Sequence, residues 1–186
     1  MKNAILTLLF TLMLVPAFAG TTIAGVSVSD SVSYEGINFN LNGAGIRTKV
    51  VIRLYVGSLY TAQSVSDSGP VLDGPVPSVI RLDIISKIIT SELMRETIEE
   101  GFDKAMGGNT APLRKEIDDF IAIFSDEISK GDQFTFVSLP GISLTAYKGS
   151  RKLATINNDR FRQTLFTIWL GDDPADGRLK KAMLDN

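Results

Sequence analysis

The sequence predicts an α+β fold: one large antiparallel sheet with helices packed mainly on one face. Three observations carry that prediction. Several segments alternate apolar and polar residues with the two-residue period of half-buried strands. Other segments place apolar residues at helical spacing behind residues suited to N-caps. A composition of 44% apolar and 22% charged residues over 186 positions suits one globular domain with a real core.

Taken in order, Ala24, Val26 and Val28, then Ile37, Phe39 and Leu41, mark two short strands joined by a Ser-rich turn with Tyr34-Glu35-Gly36. Leu41-Asn42-Gly43-Ala44-Gly45 reads as a turn, because glycine tolerates dihedrals that other residues resist. A long strand is predicted from Ile46 to about Tyr60. Its even positions Ile46, Val50, Ile52, Leu54 and Val56 are apolar, and Arg47, Lys49, Arg53 and Tyr55 lie on its odd face. Residues 63–77, with three prolines, form a loop, and 78–85 alternate again. A helix over 91–106 is capped by Thr90 or Ser91 and buries Leu93, Met94, Ile98, Phe102 and Met106. Thr110 and Pro112 open a second helix, whose stripe runs from Leu113 to Ile128 and ends at Gly131. Strands at 133–139, 142–147 and 151–156 follow, with turns at Pro140-Gly141 and Lys148-Gly149-Ser150. Asn158 caps a helix that ends at Gly171, and Asp173-Pro174 starts a last short one.

The chain contains neither cysteine nor histidine. Disulfides, thiolate nucleophiles, imidazole bases and metal or haem ligation through either residue are therefore excluded. Proton chemistry is left to perturbed Asp, Glu, Lys or Tyr, and charge stabilisation to arginine. No cofactor or metal is expected. The net charge of −2, without a dense basic patch, argues against a nucleic-acid partner.

Residues 1–19 have the form of a signal peptide. Lys2 precedes an uncharged apolar run from Ala4 to Val15, and Ala17-Phe18-Ala19 supplies the small-x-small pattern before a cut after Ala19. The run is short for a membrane span, and no later segment approaches spanning length. The expected product is a periplasmic or secreted single domain, residues 20–186, that folds by core burial alone.

Arginine pairs two oxygens with its planar donors, so Arg47, Lys49, Arg53 and Tyr55 on one strand face form a candidate site for a carboxylate or phenolate. The competing reading is a solvated sheet face cross-linked to Asp83 or Glu35. Glu92, Glu96, Glu99 and Glu100 fall on the polar side of their helix, with Arg95 and Lys104 as helical partners. Gly43-Ala44-Gly45 lacks the third glycine and the helix of a dinucleotide loop. Trp169 and Phe166 read as core.

Several segments together resemble the chalcone isomerase-like family, in its bacterial exported branch. They are Leu41-Asn42-Gly43-Ala44-Gly45-Ile46-Arg47, the stretch Val51 to Tyr60, Ile80-Arg81-Leu82-Asp83, the helix from Ser91 to Phe102, and Ile168-Trp169-Leu170-Gly171-Asp172-Asp173-Pro174. The resemblance implies an open-faced sandwich, in agreement with the element pattern. In the family's enzymes an arginine of the Gly-x-Gly-x-Arg segment stabilises a phenolate during chalcone cyclisation, and Arg47 matches it. The polar partners of that arginine fall here at Leu93, Glu96 and Glu100, and near Leu54 and Ile168. Loss of those hydrogen bonds implies no chalcone isomerase activity.

Another branch binds fatty acids without catalysis, through an arginine and a tyrosine. By that resemblance, Arg47 with Tyr55 or Tyr60, and with Arg53 beside them, would hold the head group of a small amphipathic carboxylate such as a fatty acid. An intramolecular lyase that uses Arg47 as electrostatic catalyst on an enone is one alternative. A structural module in which Arg47 only bridges strands is another.

Overall fold

The computed structural model describes residues 20–185, so the predicted signal peptide lies outside the described residues. Two short strands, β1 (Thr21–Ile23) and β2 (Val26–Val28), form a separate hairpin. The main sheet then runs β3 (Ser31–Tyr34), β4 (Ile37–Lys49), β5 (Ile52–Thr61), α1 (Gly69–Leu72), β6 (Ser78–Ile84), α2 (Ser91–Ala105), a 3₁₀ turn (Ala111–Leu113) and α3 (Arg114–Ala122). It closes with β7 (Gln133–Leu139), β8 (Ser143–Lys148), β9 (Arg151–Ile156), α4 (Asp159–Leu170) and α5 (Gly177–Leu184). The seven strands β3 to β9 pair antiparallel in chain order, a meander interrupted only by helices.

Alternation along the strands divides the core in two. Leu59, Ile80, Leu82, Phe134 and Phe136 face the helices and pack with Ile98, Phe102, Ile117, Phe120, Phe161 and Leu165. Val56, Tyr60, Val79 and Val137 face the other way, onto Val28 and Phe39. The sheet curls strongly. The Tyr34 ring of edge strand β3 reaches Tyr147 of β8 at 5.2 Å, and its hydroxyl reaches Thr135 of β7. The second cluster is thereby enclosed within the curl.

Side-chain caps hold two helices as expected: Thr90 Oγ1 accepts from Leu93 N, and Asn158 Oδ1 accepts from Phe161 N. Other boundaries differ from the sequence reading. The predicted strand over 46–60 is a hairpin, in which Lys49 pairs with Ile52 around a two-residue turn, Val50-Val51. Valine carries no turn signal, so alternation reads straight through it.

The glycine segment 43–45 is not a turn but part of β4. Its glycines clear a bed for α5. A side chain at Gly43 would meet Ala182 O, and one at Gly45 or Gly57 would meet Ala182, Leu179 or Met183. Residues 63–77 contain α1, and α3 stops at Ala122 rather than reaching Ile128. There the N–H groups of Ile123, Phe124 and Ser125 turn to carbonyls three residues back, while Phe124 and Ile128 stay buried on irregular backbone. Thr110 makes no side-chain cap, and the helix opens instead through the 3₁₀ turn. The last helix starts at Gly177, capped by Asp176, whose carboxylate accepts from Arg178 N and Leu179 N.

Candidate functional site

The site sits where β4 and β5 leave the sheet beside α2. Between the pairs Arg47–Tyr55 and Thr48–Arg53 the register shifts, so Leu54 is an extra residue on β5. A bulge of this kind re-aims side chains. Leu54 and Tyr55, consecutive in sequence, both line one pocket together with Arg47. Leu82 of β6, Ile89, Leu93, Met94, Thr97 and Ile98 on and before α2, and Ile168 and Trp169 of α4 complete it. The lining is mostly apolar, with a cavity volume of about 40 Å³.

Its polar end is built on the Tyr55 hydroxyl. Trp169 Nε1 donates to that oxygen at 2.8 Å, and Arg47 Nη1 donates to it at 3.2 Å. The guanidinium also lies 5.7 Å from the Tyr55 ring centroid. A phenolic oxygen that accepts twice keeps its own O–H as a donor. Arg47 forms no ion pair among the described residues, so most of its five donors are uncommitted. Trp169 is fixed in turn by stacking on Phe136, with centroids 5.8 Å apart. The result is a rigid donor pair at the rim of an apolar cleft, suited to an oxyanion with an apolar body.

The remaining predicted site residues are elsewhere. Arg53 pairs with Thr48 and therefore shares the side of Thr48, not that of Arg47; it is exposed and does not line the pocket. The hairpin turn resets the parity that a single strand would have kept. Tyr60 is fully buried on the opposite face of the sheet, where Arg81 lies 5.4 Å from its ring centroid. The proposed cross-links to Arg47 are not formed either. Glu35 is engaged by Tyr147 and Lys152, and Asp83 by Gln133.

Burial raises the pKa of Tyr60, and its hydroxyl meets the neighbouring Ser58 hydroxyl without forming a well-aligned hydrogen bond. Tyr60→Phe is therefore expected to leave thermal stability unchanged or slightly higher, since it removes a buried hydroxyl that makes no well-aligned hydrogen bond. A loss of more than about 1 kcal/mol in urea titration would contradict this placement.

The family model for chalcone isomerase-like proteins matches residues 20–185, all but the last of the residues after position 19. The chain belongs to the chalcone isomerase-like family. Among solved structures, a fatty-acid binding protein of Arabidopsis thaliana matches with a TM-score of 0.70 at 16% identity. That match covers 90% of this chain and 96% of the plant protein, and at this identity it shows the fold. A comparison with curated protein sequences gave no match.

Of the positions that the resemblance set against polar partners of the family's enzymes, Leu54, Leu93 and Ile168 line the pocket. Glu96 and Glu100 do not; they lie on the outer side of α2 with Arg95. Two pocket residues with polar groups escaped the sequence reading. Thr97 follows Leu93 by one helical turn and is the polar interruption of an apolar face. Trp169 reads as core, yet its indole N–H positions Tyr55. Among the described residues no cluster of three or more carboxylates is placed to hold a metal ion.

Proposed function

We propose that this protein is an exported, non-catalytic binding protein for a small amphipathic carboxylate, held at its head by Arg47 and Tyr55. The observation that carries the reading is the pair of donors on one phenolic oxygen at the edge of an otherwise apolar pocket. The fatty-acid binding activity of the Arabidopsis protein of the same fold supports the ligand class. The N-terminal pattern of residues 1–19 supports export from a bacterial cytoplasm.

Size narrows the ligand. A cavity of about 40 Å³ takes a few water-sized groups, not a long acyl chain. Short apolar tails fit the observed arrangement; long ones require α2 to move away from β5 and β6. The test is isothermal titration with saturated carboxylic acids from short to long, on protein recovered from a periplasmic extract. Short acids are expected to bind best, and Arg47→Ala to weaken them about 10- to 100-fold, the worth of a charged hydrogen-bond pair. Tyr55→Phe should weaken binding less, because the guanidinium remains. Absence of binding by any acid, or equal binding by Arg47→Ala, would remove the proposal. A chalcone cyclisation rate that depends on Arg47 would favour the lyase alternative instead.

A further inference from the structure

The β4–β5 hairpin ends in a sequence that turn chemistry does not explain. Val50 has φ of +60° at the first position of a two-residue turn, where glycine, asparagine or aspartate is usual and a β-branched residue is strained. Nothing among the described residues covers it: Val50 is 89% exposed, Val51 84% and Ile52 41%. Ile88, 51% exposed, follows β6, the strand paired with β5, at the same end of the sheet. These are four of the five large apolar side chains exposed among the described residues; the fifth, Ile142, is in the β7–β8 turn at the other end.

The charge beside the valines is one-sided. Lys49 and Arg53 flank them, and Lys87 precedes Ile88 in a groove that also carries Lys130 and Glu127. None of Lys49, Arg53 and Lys87 forms an ion pair among the described residues. No carboxylate occurs between Gly36 and Ser66. Asp176, which reaches this end, is committed to Thr48 N and to capping α5.

We infer that this tip docks on a lipid bilayer with anionic head groups, the valines and isoleucines entering the interface while Lys49, Arg53 and Lys87 meet the phosphates. An apolar point ringed by unpaired cations complements an anionic membrane surface, which offers charge at its face and hydrocarbon beneath. The strained valine fits the same purpose: glycine would suit the turn but would carry no apolar surface to the interface. Pocket residues Arg47, Leu54 and Ile89 adjoin the tip in sequence, so docking would bring the pocket to the bilayer. The inference nevertheless stands apart from what fills that pocket.

The experiment is co-sedimentation of the full mature chain with vesicles of phosphatidylglycerol and phosphatidylethanolamine, against phosphatidylcholine alone. Wild-type protein is expected to partition to the anionic vesicles and to be released by high salt. Each cation should contribute roughly five-fold. The double variant Val50→Gly, Val51→Ser should lose at least about ten-fold in partition while melting at a higher temperature, so unfolding cannot mimic the result. Tyr55→Phe should bind vesicles as wild type does, whatever it does to carboxylate binding. Equal partition to both vesicle types, no sedimentation at low salt, or a variant that sediments like wild type would overturn the inference. So would concentration-dependent dimerisation lost in the double variant, which would show that a second copy covers the tip.

Discussion

Replacing Arg162 by alanine is expected to cost about 3–5 kcal/mol of folding stability, enough to leave a marginal domain largely unfolded near physiological temperature. The side chain is 1% exposed, yet every one of its donors is used. Nε donates to Asp159, Nη1 to Val71 O and Ser138 Oγ, and Nη2 to Leu72 O and Asp159. One guanidinium thus fastens α4 to α1 and to β7. Alanine leaves two carbonyls and a hydroxyl buried without a donor and opens a cavity, and each of those losses is costly. Lysine is expected to recover little, because an ammonium cannot match the planar fork. Equilibrium urea unfolding followed by tryptophan fluorescence would measure both variants; a loss below about 1 kcal/mol for Arg162→Ala would show that the network is dispensable.

The same contact carries a pH signature. The hydrogen bond from Arg162 holds the Asp159 carboxyl below its ordinary value of 3.8, with the Gly141 N–H acting in the same direction. A depressed carboxylate pKa stabilises the fold above its unfolded value, and that contribution disappears as pH falls through the folded one. The stability gap between wild type and Arg162→Ala should therefore narrow below about pH 4. Asp159 is partly exposed, so this component is the smaller part of the whole.

Arg162 also shows where sequence reading stops. Most elements were legible because burial imposes its period directly: the strands at 78–84 and 133–139, the Thr90 and Asn158 caps, and the stop at Gly171 all follow the predicted pattern. An arginine between Phe161 and Leu165, on the apolar stripe, was the one sign of a buried cation, and helical spacing alone cannot say what it reaches. At the site, Arg47 and Tyr55 were legible as a donor pair. Arg53 was misplaced because a hairpin made of valines hides its turn, and Tyr60 because parity puts it on the opposite face from Tyr55. The Leu54 bulge, which turns Leu54 and Tyr55 into the same pocket, depends on the register with β4, and no local pattern specifies it.

Gly43→Ala is expected to destabilise the protein by about 3 kcal/mol, far beyond the effect of one methyl group on a strand. The backbone at Gly43 is extended, so alanine suffers no dihedral strain there; the cost is steric. Its Cβ would lie 2.2 Å from Ala182 O and 2.9 Å from Met183 O, backbone atoms that cannot rotate away. Helix α5 would have to lift. Lifting breaks the bond from Asn42 Nδ2 to Met183 O, exposes Leu179 and Met183, and strains the anchor of Asp176 on Thr48 N. That anchor adjoins Arg47, so carboxylate binding should weaken together with stability. Gly36→Ala separates the two causes: Gly36 has φ of +77° and open space around it, so alanine there should cost only about 1–2 kcal/mol of strain and leave the ligand site untouched. Thermal melts and carboxylate titrations of both variants would decide the matter. If Gly43→Ala melted like wild type, or lost no more stability than Gly36→Ala, close docking of α5 on the glycine bed would not be what positions this end of β4.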